Sequence, residues 1–509
     1  MPSLKFFTTV ALATIASVTA AFAHQELLSD SRLSVPSPAC QQIQESISSS
    51  SAVYYPDQPE YEKGIHHWAS SSTEQAECVV EPGTPEDVAT ILNIVGETRT
   101  PFGVKGGGHS ANRGFSSTTG VMIAMSRFTM VAYNPDTQTV DVGAGNVWDD
   151  VYRAVAPHGV NVVGGRVKGI GVAGFVLGGG YSWNTNEYGL ALDNVVAVEL
   201  VKPTGEIAQV DAESDPELLA ALKGGLNNFG IVTRFTLRTH PQGEVWGGFI
   251  AYTEAEYSAL SIATAKFSKD VVDPKASMVT LYNIVHGQHF PAVILFYDGS
   301  EPPAGIFDDF LDIKPLMKDI KTREFNDMIF GLPTGDATVG ARVAFHTIAL
   351  ETYSESLMNF IAEEARASSA STSDKSGFFV FYAAEPFLPN ITMHSLNQSS
   401  AYPASRSTTT SYSPFNLYFA WTNPEHDTEM QHTIKESAMR IQRFAVDEGQ
   451  VSIMGKDATW YPNYALSDTP IERIWGKNLE WMMRVKRRVD PKNIMNLAGG
   501  FKVLLPNVE

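Results

Sequence analysis

Cysteine is scarce: 509 residues carry two, Cys40 and Cys78. There is no cysteine cluster to hold zinc. His66-His67 and His426-Asp-Thr-Glu-Met-Gln-His432 lack the His-x-x-x-His spacing of a zinc helix and read as solvated faces. Basic residues are also in deficit. Lysine and arginine number 37 against 56 aspartates and glutamates, a formal charge of −19. That balance argues against a nucleic-acid partner and against anionic membrane surfaces, and suits a well-solvated surface. Beyond the first residues no apolar run is long enough for a transmembrane helix. Gly180-Tyr-Ser-Trp-Asn184 lacks the glycine of a G-x-S-x-G elbow, so a serine hydrolase has no support. Internal repeats are absent.

The start of the chain reads as a signal peptide over residues 1–23. Lys5 supplies a positive start, Phe6 to Ala21 an apolar stretch interrupted by Thr and Ser, and Ala21-Phe-Ala23 a small-x-small cleavage site. This predicts a protein of the secretory pathway or a secreted one. In such a chain an even cysteine count suggests a Cys40–Cys78 disulfide, with two buried free thiols as the alternative. Asn390-Ile-Thr and Asn397-Gln-Ser are glycosylation sequons, consistent with the same route.

What the chain has in abundance is glycine, concentrated between Phe102 and Tyr181. Phe102-Gly-Val-Lys-Gly-Gly-Gly-His-Ser110 opens this stretch. Gly164-Gly-Arg-Val-Lys-Gly-Ile-Gly-Val-Ala-Gly-Phe-Val-Leu-Gly-Gly-Gly-Tyr181 closes it. Without Cβ atoms, successive N–H groups can turn toward one ligand and form a cradle for an anion such as pyrophosphate. Gly169-Ile-Gly171-Val-Ala-Gly174 also matches G-x-G-x-x-G, with Asp193 further on as a ribose-binding candidate. Gly178 to Gly180 weaken that nicotinamide reading, because they fall where its helix belongs and each costs about 1 kcal/mol there.

Four segments carry a resemblance in order: Val104 to Ser110, Gly171 to Tyr181, Glu187-Tyr-Gly-Leu-Ala-Leu-Asp-Asn194, and Leu222-Lys-Gly-Gly-Leu-Asn-Asn-Phe-Gly230. Together they resemble the berberine bridge enzyme-like oxidases of the vanillyl-alcohol oxidase superfamily, of the fungal secreted type. The resemblance covers residues 65–245 well, the last 60 fairly, and the middle by position. It implies FAD bonded once to the protein, through His109 to the 8α carbon. Val167 stands where many members carry a second attaching cysteine. Lys105, Gly106, Gly107, Gly108, Ser110, Gly164, Gly165, Val167, Ile170, Gly171, Gly174, Gly178, Gly230, Ile231 and Asn463 fall at its cofactor-binding positions. Tyr181, Tyr461 and Tyr464 fall at active-site tyrosine positions, and Asn416 and Tyr418 where members place helper side chains. A phenol used as base needs a nearby cation or strong donor, since its pKa is near 10. Ile170 falls at the position that controls oxygen access, where a β-branched residue implies reaction with O2.

The expected fold is α+β. It has a two-lobed PCMH-type FAD-binding domain over 68–245, preceded by a surface wrap over 24–67. An α+β substrate domain with an antiparallel sheet follows over 246–450, and a C-terminal segment, 451–509, returns to the FAD domain. Thr84-Pro-Glu-Asp87 reads as a helix start, with Val88, Ile91, Leu92 and Val95 on one face. Ser368 to Ser376 reads as a loop and Ile471 to Arg488 as one helix. The function implied is oxidation of a C–OH or C–N bond of a small secondary-metabolite-like substrate. Hydride would go to flavin N5 and O2 would yield hydrogen peroxide, in a monomer that needs no metal. A carbohydrate oxidase and a flavin-binding protein without turnover are the alternatives.

Overall fold

A computed structural model describes residues 37–333, 338–389, 391–395, 399–407 and 410–505. The expected signal peptide, the first part of the expected wrap and both sequon asparagines, Asn390 and Asn397, lie outside the described residues.

Two small sheets build the first lobe pair. The first has four strands in the order Ala52–Tyr54, Cys78–Glu81, Val121–Ala124, Phe102–Lys105. Its last two junctions are parallel. The wrap is therefore structured: it contributes the edge strand and the helices Pro38–Ser46 and Pro59–Ile65. Cys40 and Cys78 are joined, which ties the first helix to the second strand across a separation of 38 residues. Helix Pro85–Thr98 begins as its sequence dictates. Thr84 Oγ1 accepts from the Asp87 N–H at 3.2 Å, Pro85 fills the first turn, and Val88, Ile91, Leu92 and Val95 are buried.

The second sheet is antiparallel, with five strands in the order Val131–Asn134, Thr139–Gly143, Ile231–Arg238, Val195–Val201, Ile207–Asp211. The third has seven antiparallel strands: Met317–Arg323, Val245–Ala251, Gln288–Tyr297, Ala276–Val285, Gly377–Ala384, Ser413–Trp421, Arg342–Leu350. Helices Tyr257–Asp270, Glu355–Thr372 and Asp427–Asp447 cover one face of it. Side chains alternate along a strand. On the fully buried strand Ser413–Trp421, Phe415, Leu417 and Phe419 join the helices in the core, and Asn416 and Tyr418 face the other way.

Two expectations need correction. Ser368 to Thr372 continue helix Glu355–Thr372, with a short 3₁₀ turn over Ser373–Lys375. The hydroxyls that would favour a loop are used inside the helix: Thr372 Oγ1 donates to Ser368 O at 2.8 Å, and Ser368 Oγ meets the Tyr382 hydroxyl at 2.8 Å. The helix expected over Ile471 to Arg488 is instead two, Ile471–Trp475 and Leu479–Val489. It breaks at Gly476, which has φ +50°, and a Cβ there would lie 1.9 Å from Lys456 O.

The C-terminal segment returns to the first domain. Trp475 Nε1 donates to Gly224 O at 3.0 Å, the Val503 N–H donates to Asn228 Oδ1 at 2.9 Å, and Phe102 pairs with Ala498.

Replacing Cys40 by Ala should cost about 4 kcal/mol of stability, the loop-closure entropy for a 38-residue separation. Denaturant unfolding of wild type and variant, both without reductant, measures it.

Candidate functional site

The two glycine loops meet back to back. Strand Phe102–Lys105 delivers the first, and the second runs into helix Val172–Gly178. A Cβ on Gly107 would lie 2.5 Å from Gly171 Cα, and one on Gly171 would lie 2.6 Å from Gly107 N. Gly108 needs φ +70°. Both loops line one cavity of ≈ 970 Å³. It runs from Leu226, Asn227, Gly230, Ile231 and Gly500, past the loops, to the open face of the seven-stranded sheet.

Most candidates from the sequence line this cavity: Gly106, Gly107, Gly108, His109, Ser110, Val167, Ile170, Gly171, Gly174, Gly230, Ile231 and Asn463, with Tyr181, Asn416, Tyr418, Tyr461 and Tyr464. Four candidates do other work. Lys105 Nζ turns away and donates to the carbonyls of Lys63 at 3.0 Å and His66 at 2.9 Å. Burial lowers its pKa to about 8. Gly164 and Gly165 make room for the Trp148 ring, which a Cβ would meet at 2.5 and 2.8 Å. Gly178 admits the Asn463 amide, 2.2 Å from where its Cβ would be.

His109 lies under the indole of Trp68, ring centroids 4.3 Å apart and planes at 11°. Burial lowers its pKa to about 4. The ring is therefore neutral near pH 7, with a nitrogen lone pair available.

The tyrosines differ in what holds their hydroxyls. Tyr181 lines the cavity and faces Tyr402, oxygens 3.0 Å apart, within an apolar cluster. Tyr461 receives two donors, the Gly180 N–H at 3.3 Å and Asn463 Nδ2 at 3.0 Å. Burial pushes its pKa up to about 12, and the Asn463 bond and the Arg166 charge oppose that rise. Tyr464 donates to Glu385 Oε1 at 3.2 Å and receives Arg166 Nη2 at 2.7 Å. The same nitrogen reaches Glu385 Oε2 at 2.7 Å. Burial raises the Glu385 carboxyl pKa, and Arg166 pulls it part of the way back.

Sequence reasoning missed Arg166, Glu385 and the role of Trp68. Arg166 had a signal, since it is a cation directly after Gly164-Gly165 in a loop already singled out. Glu385 had none, because its partners are 219 and 79 residues away. Beyond this network the cavity wall is aromatic: Trp68, Phe345, Phe379, Phe381 and Tyr418.

An FAD-binding domain model matches residues 76–211. A FAD-dependent monooxygenase, drtC, from Aspergillus calidoustus is 31% identical over 354 residues, 67% of each chain. This chain belongs to the FAD-linked oxidoreductases of the berberine bridge enzyme-like family. An uncharacterized FAD-linked oxidoreductase from Arthroderma benhamiae is 36% identical over 279 residues; the match spans 54% of this chain and 56% of that one. Among solved structures, a variant of berberine bridge enzyme-like 1 from Physcomitrella patens aligns with a TM-score of 0.75 at 18% identity, over 93% of this chain and all of that one. A xylooligosaccharide oxidase from Myceliophthora thermophila aligns with a TM-score of 0.76 at 16% identity, over 93% of this chain and all of that one. These likenesses show the same fold.

The family's cofactor fits the site. No acceptor among the described residues takes the N–H groups of Gly107 to Ala111, which leaves them for a ligand. Gly107 and Gly171 hold the loops where a Cβ would force them apart. The chain is an FAD-dependent oxidoreductase.

Gly107→Ala should cost about 1–3 kcal/mol of overpacking at this crossing. The 450 nm flavin absorbance per protein should fall with it. Unchanged flavin content would mean that the loops can part without loss.

Proposed function

We propose that this enzyme holds FAD covalently and singly through His109 and oxidises a C–OH or C–N bond of a small aromatic or polyketide-like metabolite, passing electrons to O2 to give hydrogen peroxide. One observation carries the reading: the glycine cradle opens onto an aromatic wall beside a buried network of Tyr464, Glu385 and Arg166. FAD, when bound, would supply the acceptor for two electrons, taken together as a hydride. The protein supplies the wall that orients a flat substrate and the group that takes its proton.

That group is Glu385, acting through Tyr464. Tyr461 is held by two donors, and among the described residues its hydroxyl has no acceptor to which its own proton can pass. Tyr464 does have one. As substrate O–H donates to the Tyr464 oxygen, the Tyr464 proton moves to Glu385 Oε1, and no free phenolate is needed. Burial raises the Glu385 carboxyl pKa, which makes it a better proton acceptor, and the Arg166 contact favours its charged form.

An oligosaccharide needs many hydrogen-bond partners. The sheet face offers few, and the Asn283 amide is already donated to Phe290 O at 3.2 Å. Fungal relatives named monooxygenases support a second reading, in which oxygen is inserted into the product. Secretion belongs to the first reading. The Cys40–Cys78 bond supports it, since such bonds persist in oxidising compartments. Among the described residues no helix is long and apolar enough to cross a membrane.

A peroxide-coupled screen of aromatic alcohols, polyketide alcohols and oligosaccharides tests the substrate class. Turnover confined to oligosaccharides would overturn it, and label from ¹⁸O₂ in the product would favour the second reading. Acid-precipitated protein should stay yellow, and His109→Ala should release its flavin.

Glu385→Gln and Tyr464→Phe should each slow flavin reduction by about 10²–10⁴. In wild type the rate should rise with pH as Glu385 deprotonates, and in Glu385→Gln that rise should vanish. Stopped-flow reduction at wild-type rates in both variants would place the base elsewhere.

A further inference from the structure

We infer that Trp68 is a positioning residue for cofactor attachment, the centre of a brace formed by residues 63–72 that fixes the His109 imidazole. The inference rests on the covalent reading above. The loop that carries His109 has three glycines directly before it, so its backbone does not by itself fix a side-chain direction. The His109 ring has one local tie, a hydrogen bond to its own backbone, and the rest of its fixation comes from outside. Lys105 Nζ is bonded to the carbonyls of Lys63 and His66 at 3.0 and 2.9 Å. The Trp68 N–H donates to Gly108 O at 3.0 Å, and Ser72 Oγ donates to Ser110 O at 2.7 Å. Between those two ties the indole lies flat on the imidazole, 4.3 Å centre to centre at 11°.

The brace is anchored on its far side to the residues that lead into the strand Arg342–Leu350 of the seven-stranded sheet. The Gly340 N–H donates to Trp68 O at 3.0 Å, and the Ser70 N–H donates to Ala341 O at 2.9 Å. Trp68 is therefore tied on both sides, to the glycine loop and to the chain that enters the sheet. It holds one face of the imidazole and leaves the ring edge open to the cavity that both residues line. Aromatic stacking of this kind fixes ring orientation without consuming a ring nitrogen.

Attachment replaces the imidazole N–H and one C–H of the flavin 8α methyl by an N–C bond. The two hydrogens leave with two electrons, and dioxygen accepts them as hydrogen peroxide. Trp68 takes no part in that exchange, and its effect is on the orientation of the attacking nitrogen.

The test uses the whole protein without substrate, so a role of Trp68 as substrate wall does not enter. Wild type, Trp68→Ala, Trp68→Leu, Trp68→Phe and His109→Ala are compared for total flavin by absorbance and for acid-stable flavin after precipitation. Protein lacking the bond is then followed in air after FAD is added. Trp68→Ala and Trp68→Leu should bind FAD but attach it about 10- to 100-fold more slowly, the loss expected when a reacting group loses its fixed orientation. Trp68→Phe should recover most of the rate. Attachment at the wild-type rate in either the Ala or the Leu variant overturns the brace alone. Wild type without acid-stable flavin overturns the covalent reading itself and leaves the brace nothing to position.

Discussion

Two chain segments cross at Gly107 and Gly171 with no space for a Cβ on either side. Everything else in the active lobe is arranged around that contact. The first loop is carried there by the strand Phe102–Lys105, paired in parallel with Val121–Ala124. The second is pinned by the pairing of Val147 with Gly171 and by the Trp148 N–H donating to Ile170 O at 2.9 Å. Separating the loops by the width of one methyl group would widen the cradle and move His109 relative to Val167 and Ile170. Close packing leaves no slack to absorb such a shift.

The second constraint is a charge in an apolar place. Burying Arg166 or Glu385 alone would cost several kcal/mol, which mutual contact and the Tyr464 hydroxyl offset. A pair of this kind adds little net stability, but it specifies geometry. One nitrogen, Arg166 Nη2, reaches both the carboxylate and the phenol at 2.7 Å. It thereby holds the Tyr464 hydroxyl and the Glu385 carboxylate against one cation. Tyr461 and Tyr464 are three residues apart and in edge contact at 4.8 Å, yet among the described residues the first meets two donors and the second also meets an acceptor.

The seven-stranded sheet divides its two faces by strand periodicity. Phe415, Leu417 and Phe419 meet the helices, while Asn416 and Tyr418 meet the cavity. Its neighbours supply Phe345 and Phe381 opposite Tyr418 in register, so the aromatic wall follows from strand pairing. The helix Glu355–Thr372 runs through a serine-rich stretch because Tyr382, on that same sheet, accepts or donates to Ser368. A turn-like composition was overruled by a partner on another element.

The sequence by itself determined what is local. The glycine density announced both loops, and a histidine after three glycines marked the attachment candidate. Thr84-Pro85 started its helix, the even cysteine pair suggested the Cys40–Cys78 bond, and four ordered segments carried the family. These signals are short-range, because they depend on backbone freedom, capping and residue order. Tertiary structure alone decided that Lys105 is bonded to the Lys63 and His66 carbonyls, that Gly164, Gly165 and Gly178 leave room for Trp148 and Asn463, and that the Tyr181 hydroxyl meets Tyr402. It alone brought Trp68 onto His109, and Glu385 to Arg166 across 219 residues. A buried charge takes its partner from whatever the fold brings within hydrogen-bond reach, and spacing along the chain carries no record of that distance.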